Sequence, residues 1–176
     1  LGLLDDASSG SILVNGKDAS HLKEKEKAQI RRDTIGFAFQ AYYLNPKLKA
    51  YDNVMLPMYV NPKMAKGLKE RAKELLTQLG LEERTDHYPK QMSGGEQQRV
   101  AIARALANDP DCIFADEPTG NLDEENERLV FDALKRLSQS GKCVLVVSHN
   151  EAVREYADSL LLMEKGKLKE ADGREA

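Results

Sequence analysis

The sequence has little to offer a nucleic acid or a membrane interior. Its 26 lysines and arginines are outnumbered by 29 aspartates and glutamates, a net charge of -3. No basic excess exists to displace counterions from a phosphodiester backbone, so no nucleic acid partner is expected. The longest apolar runs, around Val144–Val147 and Leu160–Met163, fall far short of the ~20 residues that a bilayer span needs. No secretory signal pattern opens the chain. Only two cysteines occur, Cys112 and Cys143. Both lie in runs expected to be buried strands, where small core side chains in a reducing cytosol are the plain reading. Nothing has metal-ligand spacing. What is present is 41% hydrophobic and 31% charged residues in 176. That suits one compact, solvated domain with a real core, expected to be cytosolic.

Ser11–Asn15 reads as a short strand turning at Gly16-Lys17, and Leu22–Arg32 is charged and helix-prone. Ile35–Gln40 is a short apolar run that ends on a polar residue. Asp52–Tyr59 and Met64–Leu79 read as helices; in the second, Leu68, Ala72, Leu75, Leu76 and Leu79 recur at helical spacing, and Gly80 caps the end. The rhythm then changes. Cys112–Ala115 and Cys143–Val147 are continuous apolar runs, with Arg128–Leu137 as a helix between them. Glu151–Ala157 follows as a helix, and Ser159–Met163 is a strand that turns at Lys165-Gly166 into Lys167–Glu170 as a hairpin. Apolar runs without alternation are the pattern of strands covered on both faces. Strand–helix–strand order predicts an α/β fold with a mostly parallel sheet flanked by helices. The helix-rich stretch from about residue 42 breaks the rhythm and reads as an inserted helical subdomain. The tail from Ala171 is polar enough to be loose.

Three stretches can carry chemistry. Ser93 and Glu96 form a capping box, which starts a helix running through Ala101, Ile102, Ala105 and Leu106. Gly94 and Gly95 leave backbone N–H groups uncovered at the positive end of that helix, a place where phosphate can bind. On the capping box alone, an ordinary capped helix with a flexible entry is the favoured reading. Cys112–Ala115 delivers Asp116 and Glu117 at a strand's carboxyl end, where α/β sheets bind ligands. There an aspartate can organise magnesium and a glutamate can orient or deprotonate water. His149 follows Cys143–Val147 with Ser148 between; a lone histidine there is often just a solvated or capping residue. His21 and His87 match nothing.

The string Met92–Leu106 closely resembles the signature motif of ABC (ATP-binding cassette) ATPases, with methionine where leucine is usual. Cys112–Gly120 resembles the Walker B strand with its catalytic glutamate, and Asn121-Leu122-Asp123 resembles the D-loop. His149 falls in the register of the switch histidine, and Gln40 in that of the Q-loop glutamine. These motifs stand in family order at family spacing. The words Asp-Glu-Pro-Thr-Gly-Asn-Leu-Asp, with Tyr88-Pro89 ahead of the signature, look most like the lipoprotein-release, macrolide-export and antimicrobial-peptide-resistance branch.

The resemblance implies a P-loop NTPase-like fold over residues 1–176, with residues 42–107 as the helical subdomain that includes the signature helix. It implies ATP and Mg2+ as ligands, with Asp116 and Gln40 on the metal and Glu117, His149 and Gln40 catalytic. Ser93, Gly94, Gly95, Glu96 and Asp123 are implied to bind nucleotide, the signature residues from across a head-to-tail dimer with a second nucleotide-binding domain. It further implies a transmembrane permease subunit, docked near Tyr42–Val60, that holds the domain peripherally on the inner face of the membrane. A non-transporting, cell-division-type regulator and an inert scaffold stay open as alternatives. DNA-repair relatives are disfavoured, because Ala41–Met92 has no sustained heptads, and translation-factor relatives because no basic linker is visible.

One element is missing. Cradling a triphosphate takes G-x-x-x-x-G-K-[ST]. The Gly-Lys pairs at Gly16, Gly141 and Gly166 are followed by Asp18, Cys143 and Leu168. The apolar start Leu1-Gly2-Leu3-Leu4 reads as a chain that begins inside the P-loop helix, so the first strands and the P-loop are expected to be missing and neighbouring apolar surface left open. The 176 residues alone are expected to be inactive, and the parent protein an ATPase.

Overall fold

The computed structural model describes residues 2–64 and 66–170; the expected loose tail lies outside them. Leu13–Val14 (β1) and Lys17–Asp18 (β2) pair antiparallel around Asn15-Gly16. Both turn residues have positive φ, 49° and 75°, the geometry of a type I′ turn. Glu24–Thr34 (α1) leads into Ile35–Phe39 (β3), and Ala50–Met55 (α2) runs into a 3-10 turn, Leu56–Met58, at Pro57. Leu68–Gln78 (α3), Gly94–Leu106 (α4), Cys112–Asp116 (β4) and Glu124–Gln139 (α5) follow. The chain continues through Cys143–Val147 (β5) and Val153–Tyr156 (α6) to the hairpin Leu161–Glu164 (β6) and Lys167–Glu170 (β7).

The central sheet has the order β3-β4-β5, parallel throughout. Helix α4 packs on β3 and also touches α2, α3 and α5, so it ties the sheet to the helical layer. Its environment shows this: Val100, Ala101, Ile102 and Ala103 are all fully buried. The approach to β3 is very close. A Cβ at Gly36 would lie 2.4 Å from the carbonyl oxygen of Ala105, so only glycine lets this turn of α4 rest on the strand.

Several boundaries differ from the sequence reading. The helix expected over 64–79 starts at Leu68, because Gly67 enters it with φ 69°. It ends as expected at Gly80, where Leu81 N–H bonds to Leu76 C=O and Gly80 N–H to Thr77 C=O, a Schellman closure. Helix α5 starts four residues earlier than expected because Asp123 caps it, and α6 is one turn.

The unbroken apolar runs of the later strands predicted cover on both faces, and among the described residues that cover is not found. Among the described residues β5 pairs only with β4, and β6 only with β7. Val147, Leu161, Leu162 and Met163 are exposed. The expectation that both cysteines are buried is corrected with it: Cys112 is half-buried and Cys143 exposed, because Cys143 opens the edge strand.

Candidate functional site

The three parallel strands end in register. Phe39 pairs with Asp116, and Asp116 with Val147. The next residue of each strand is therefore brought to one rim: Gln40, Glu117 and Ser148, with His149 beyond. Carboxyl ends of parallel strands are where open α/β sheets bind ligands.

Glu117 is the best-connected side chain of this rim. Its Oε1 accepts from the backbone N–H of His149 at 3.0 Å and lies 2.8 Å from His149 Nδ1. Its Oε2 accepts from the Ser148 hydroxyl at 3.3 Å. An ionised carboxylate can only accept, so with Glu117 ionised the contact places a ring proton on Nδ1, and Nε2 has no hydrogen-bond partner among the described residues. The imidazole is 80% exposed while Glu117 is 22% exposed; the acid is set back and the ring stands over it. Glu117 also has φ 47°, a left-handed conformation costing ~1–3 kcal/mol in a non-glycine residue, of the kind that collects at functional sites. Its own N–H bonds to Val147 C=O at 2.8 Å, which locks that conformation to β5.

Asp116, at the end of β4, is exposed, and its carboxylate takes no protein hydrogen bond among the described residues. Gln40 donates from Nε2 to Asn121 Oδ1 at 3.4 Å and lies against Gly120, where a Cβ would come within 2.6 Å of that nitrogen. This donor set fits Mg2+. Its oxygens are hard, and Mg2+ is commonly held by one or two carboxylates together with substrate phosphates rather than by a protein cage. Among the described residues no group of three or more His, Cys, Asp or Glu could hold a metal ion by itself.

The second group lies at the start of α4. Ser93 caps the helix: its Oγ accepts from Glu96 N–H at 3.2 Å, and Glu96 Oε2 accepts from Ser93 N–H at 2.8 Å. Glu96 Oε1 is taken by Arg84 Nε at 2.8 Å, so both carboxylate oxygens are committed to the cap. Burial pushes the Glu96 carboxyl up, but Arg84 and the Ser93 N–H outweigh it and hold it below the usual glutamate range. Asp123 caps α5, accepting from Asn126 N–H at 2.9 Å and Asn126 Nδ2 at 2.8 Å. The Asn126 backbone and side chain hold its carboxyl low.

No hydrogen bond joins Ser93 to Glu117 or His149 among the described residues. Asn126, which the sequence reading did not single out, ties Asp123 to the start of α4: its Nδ2 donates to Asp123 and its Oδ1 would lie 2.0 Å from a Cβ at Gly95. Ser148 was read only as the residue between the strand and His149, and Asn121 only as the start of the D-loop string. Their positions directly after β5 and in the loop that follows Glu117 were the available signal.

A parallel sheet flanked by helices, with two carboxylates, a histidine and a glutamine at the strand ends and a capped glycine-rich helix start, is the arrangement of an ATP-binding cassette of the P-loop NTPase class. Comparisons agree. The profile of the family described as ABC transporter matches residues 1–120. The lipoprotein-releasing system ATP-binding protein LolD of Aquifex aeolicus is 44% identical over 168 residues, 96% of this chain and 75% of that protein. An uncharacterized ABC transporter ATP-binding protein of Thermotoga maritima is 45% identical, over 96% of this chain and 72% of its own length. The ATP-binding cassette MJ0796, solved as a post-hydrolysis dimer bound to ADP and Pi, superimposes with a TM-score of 0.85 at 38% identity, covering 98% of this chain and 78% of that one. The chain belongs to the ABC transporter ATP-binding family.

Proposed function

We propose that the parent protein hydrolyses Mg2+-ATP to drive a membrane complex of the lipoprotein-release type, with Glu117 as the group that orients and deprotonates the attacking water. The observation that carries this is the Glu117–Ser148–His149 network at the strand ends. It fixes a carboxylate at the rim in one orientation, with an imidazole beside it whose Nε2 is free to face the γ-phosphate. Mg2+, bound with the nucleotide near Asp116 and Gln40, would neutralise charge on the transferring phosphoryl oxygens. Ser93 is exposed at the start of α4, and the helix start formed by Ser93, Gly94 and Gly95 suits a phosphate presented by a second copy, head to tail, as Asp123 suits that interface. The LolD relatives support the branch, and the dimeric MJ0796 cassette supports the pairing.

The membrane partner is a permease subunit that docks on the helical layer, residues 42–107, near Tyr42–Val60. Tyr43, Tyr59 and Val60 are each more than 60% exposed there. No helix among the described residues is long and apolar enough to cross a membrane. Attachment to the inner face through that subunit is the reading that follows.

The 176 residues carry no phosphate-loop lysine motif, so by themselves they hold ATP weakly and hydrolyse none above background. Calorimetric titration of the chain with ATP should show no micromolar binding; a micromolar affinity refutes this. The role of Glu117 is tested by joining the chain to an upstream phosphate-loop segment and measuring ATPase activity beside a Glu117→Gln copy. Loss of a general base should cost about 10²–10⁴-fold in kcat. Equal activity in the two proteins overturns the assignment.

A further inference from the structure

We propose that Asn150 and Glu127 are positioning residues for ATP hydrolysis: with Ser148 they form a hydrogen-bonded tie that runs from helix α5 to the Glu117 carboxylate and holds it at the strand ends. This rests on the reading of Glu117 as the group that activates water, and adds what keeps that group in place. Neither Asn150 nor Glu127 hydrogen-bonds to Glu117 itself among the described residues, so both act through Ser148.

The tie can be followed atom by atom. Ser148 Oγ donates to Glu117 Oε2 at 3.3 Å and accepts from the Asn150 backbone N–H at 3.1 Å. A hydroxyl has one proton to give. With the N–H occupying an acceptor lone pair, that proton is directed to the carboxylate. Asn150 is fixed in turn through both ends of its side-chain amide. Its Oδ1 accepts from Ala152 N–H at 2.9 Å, the turn that asparagine forms with the residue two places on. Its Nδ2 donates to Glu127 Oε2. The two contacts also settle the orientation of the amide, because exchanging O and N would set an NH2 group against the Ala152 N–H and an oxygen against a carboxylate.

The anchor is a firm one. Glu117 follows β4 and Ser148 follows β5, so both stand just past the sheet ladder. Glu127 stands in the first turn of a 16-residue helix whose Val130, Phe131, Ala133 and Leu134 are buried. It is half-buried, whereas Glu124 and Glu125 of the same turn are exposed. Tied to that helix, the segment after β5 keeps the Ser148 hydroxyl on the carboxylate.

The test exchanges donor and acceptor across the tie in the parent protein. Asn150→Asp keeps Oδ1 for the Ala152 turn, but it loses the donor and sets two carboxylates against each other. Adding Glu127→Gln supplies a donor from the other side and restores the original net charge. In basal ATPase kinetics, kcat should fall on the order of 10–10²-fold in Asn150→Asp. KM for ATP should stay unchanged, since the tie makes no contact that the ground state alone uses. The double variant should recover most of the lost kcat. Ser148→Ala removes the middle link and should be slow with the native pair and with the exchanged pair alike. A Glu117→Gln copy is measured beside them. If it keeps wild-type activity, the reading of Glu117 fails and the tie has nothing to position. If it is inactive while Asn150→Asp keeps wild-type kcat, or while the double variant stays as slow as the single one, the tie alone is refuted. A readout independent of turnover is the Asn150 side-chain amide in 15N NMR spectra of the nucleotide-free parent protein. It should stand apart from the free-amide position and move to that position in Glu127→Ala; a wild-type resonance already there overturns the proposal.

Discussion

Replacing Gly36 by alanine tests how closely α4 rests on the sheet. The added methyl would lie 2.4 Å from Ala105 O, 2.8 Å from Ile113 Cδ1 and 3.0 Å from Ala105 C. Carbon–oxygen contacts normally sit at ~3.3–3.6 Å, so the gap is short by roughly 1 Å. Two of the three atoms are helix backbone, which cannot turn aside as a side-chain tip can. The last turn of α4 must lift from β3, and overpacking of this kind costs about 1–3 kcal/mol. For a chain of this size each kcal/mol is worth ~2–4 °C, so the midpoint of thermal unfolding should fall by about 2–12 °C. Circular dichroism melts of wild type and Gly36→Ala measure it. The double variant Gly36→Ala/Ile113→Val distinguishes the cause, because trimming Ile113 relieves the side-chain contact and leaves the carbonyl in place. It should melt no higher than Gly36→Ala. Full rescue by Ile113→Val would refute the reasoning, by showing that the side chain and not the helix backbone carried the strain.

The remaining predictions concern the start of α4. Ser93→Ala leaves Glu96 N–H without its acceptor and should cost about 0.5–2 kcal/mol by urea unfolding; an unchanged midpoint would mean the cap is not formed in solution. Glu96 is held low in the folded chain, so the unfolded chain takes up its proton first as pH falls. The stability it contributes is full above the ordinary glutamate value, ~4.3, and is lost as pH drops through the lower folded value. Unfolding measured from pH 6 downward should therefore show a weaker acid dependence in Glu96→Gln than in wild type. Identical pH profiles would refute the assignment.

How much of this was legible beforehand depends on whether the cause was local. The capping box of Ser93 and Glu96, the Schellman end at Gly80 and the hairpin at Lys165-Gly166 depend on residues within a few positions of each other, and all three form as read. The placement of Glu117 beside His149 came from motif order, which implies a shared rim without giving its geometry. Other features are set by partners distant in sequence. Gly36 looked like an ordinary strand glycine, yet it is required by a carbonyl 69 residues later. Asn126 lay ahead of the helix expected from Arg128, yet it donates to the capping Asp123 and packs on Gly95. Cys143 sits in a run that reads as buried; its exposure follows from which strands are its neighbours, and periodicity carries no information on that.

The common end point of β3, β4 and β5 has a bearing on how this gene can vary in length. Because Phe39, Asp116 and Val147 stand level, a codon gained or lost within β4 would move Glu117 by one residue against Ser148 and turn its side chain to the other face of the sheet. The same change in the turn at Gly141, which has open space around it, would be absorbed before β5 begins. Insertions and deletions tolerated over descent should therefore gather in the connections that precede the strands, while the strands themselves keep a fixed count from first residue to rim.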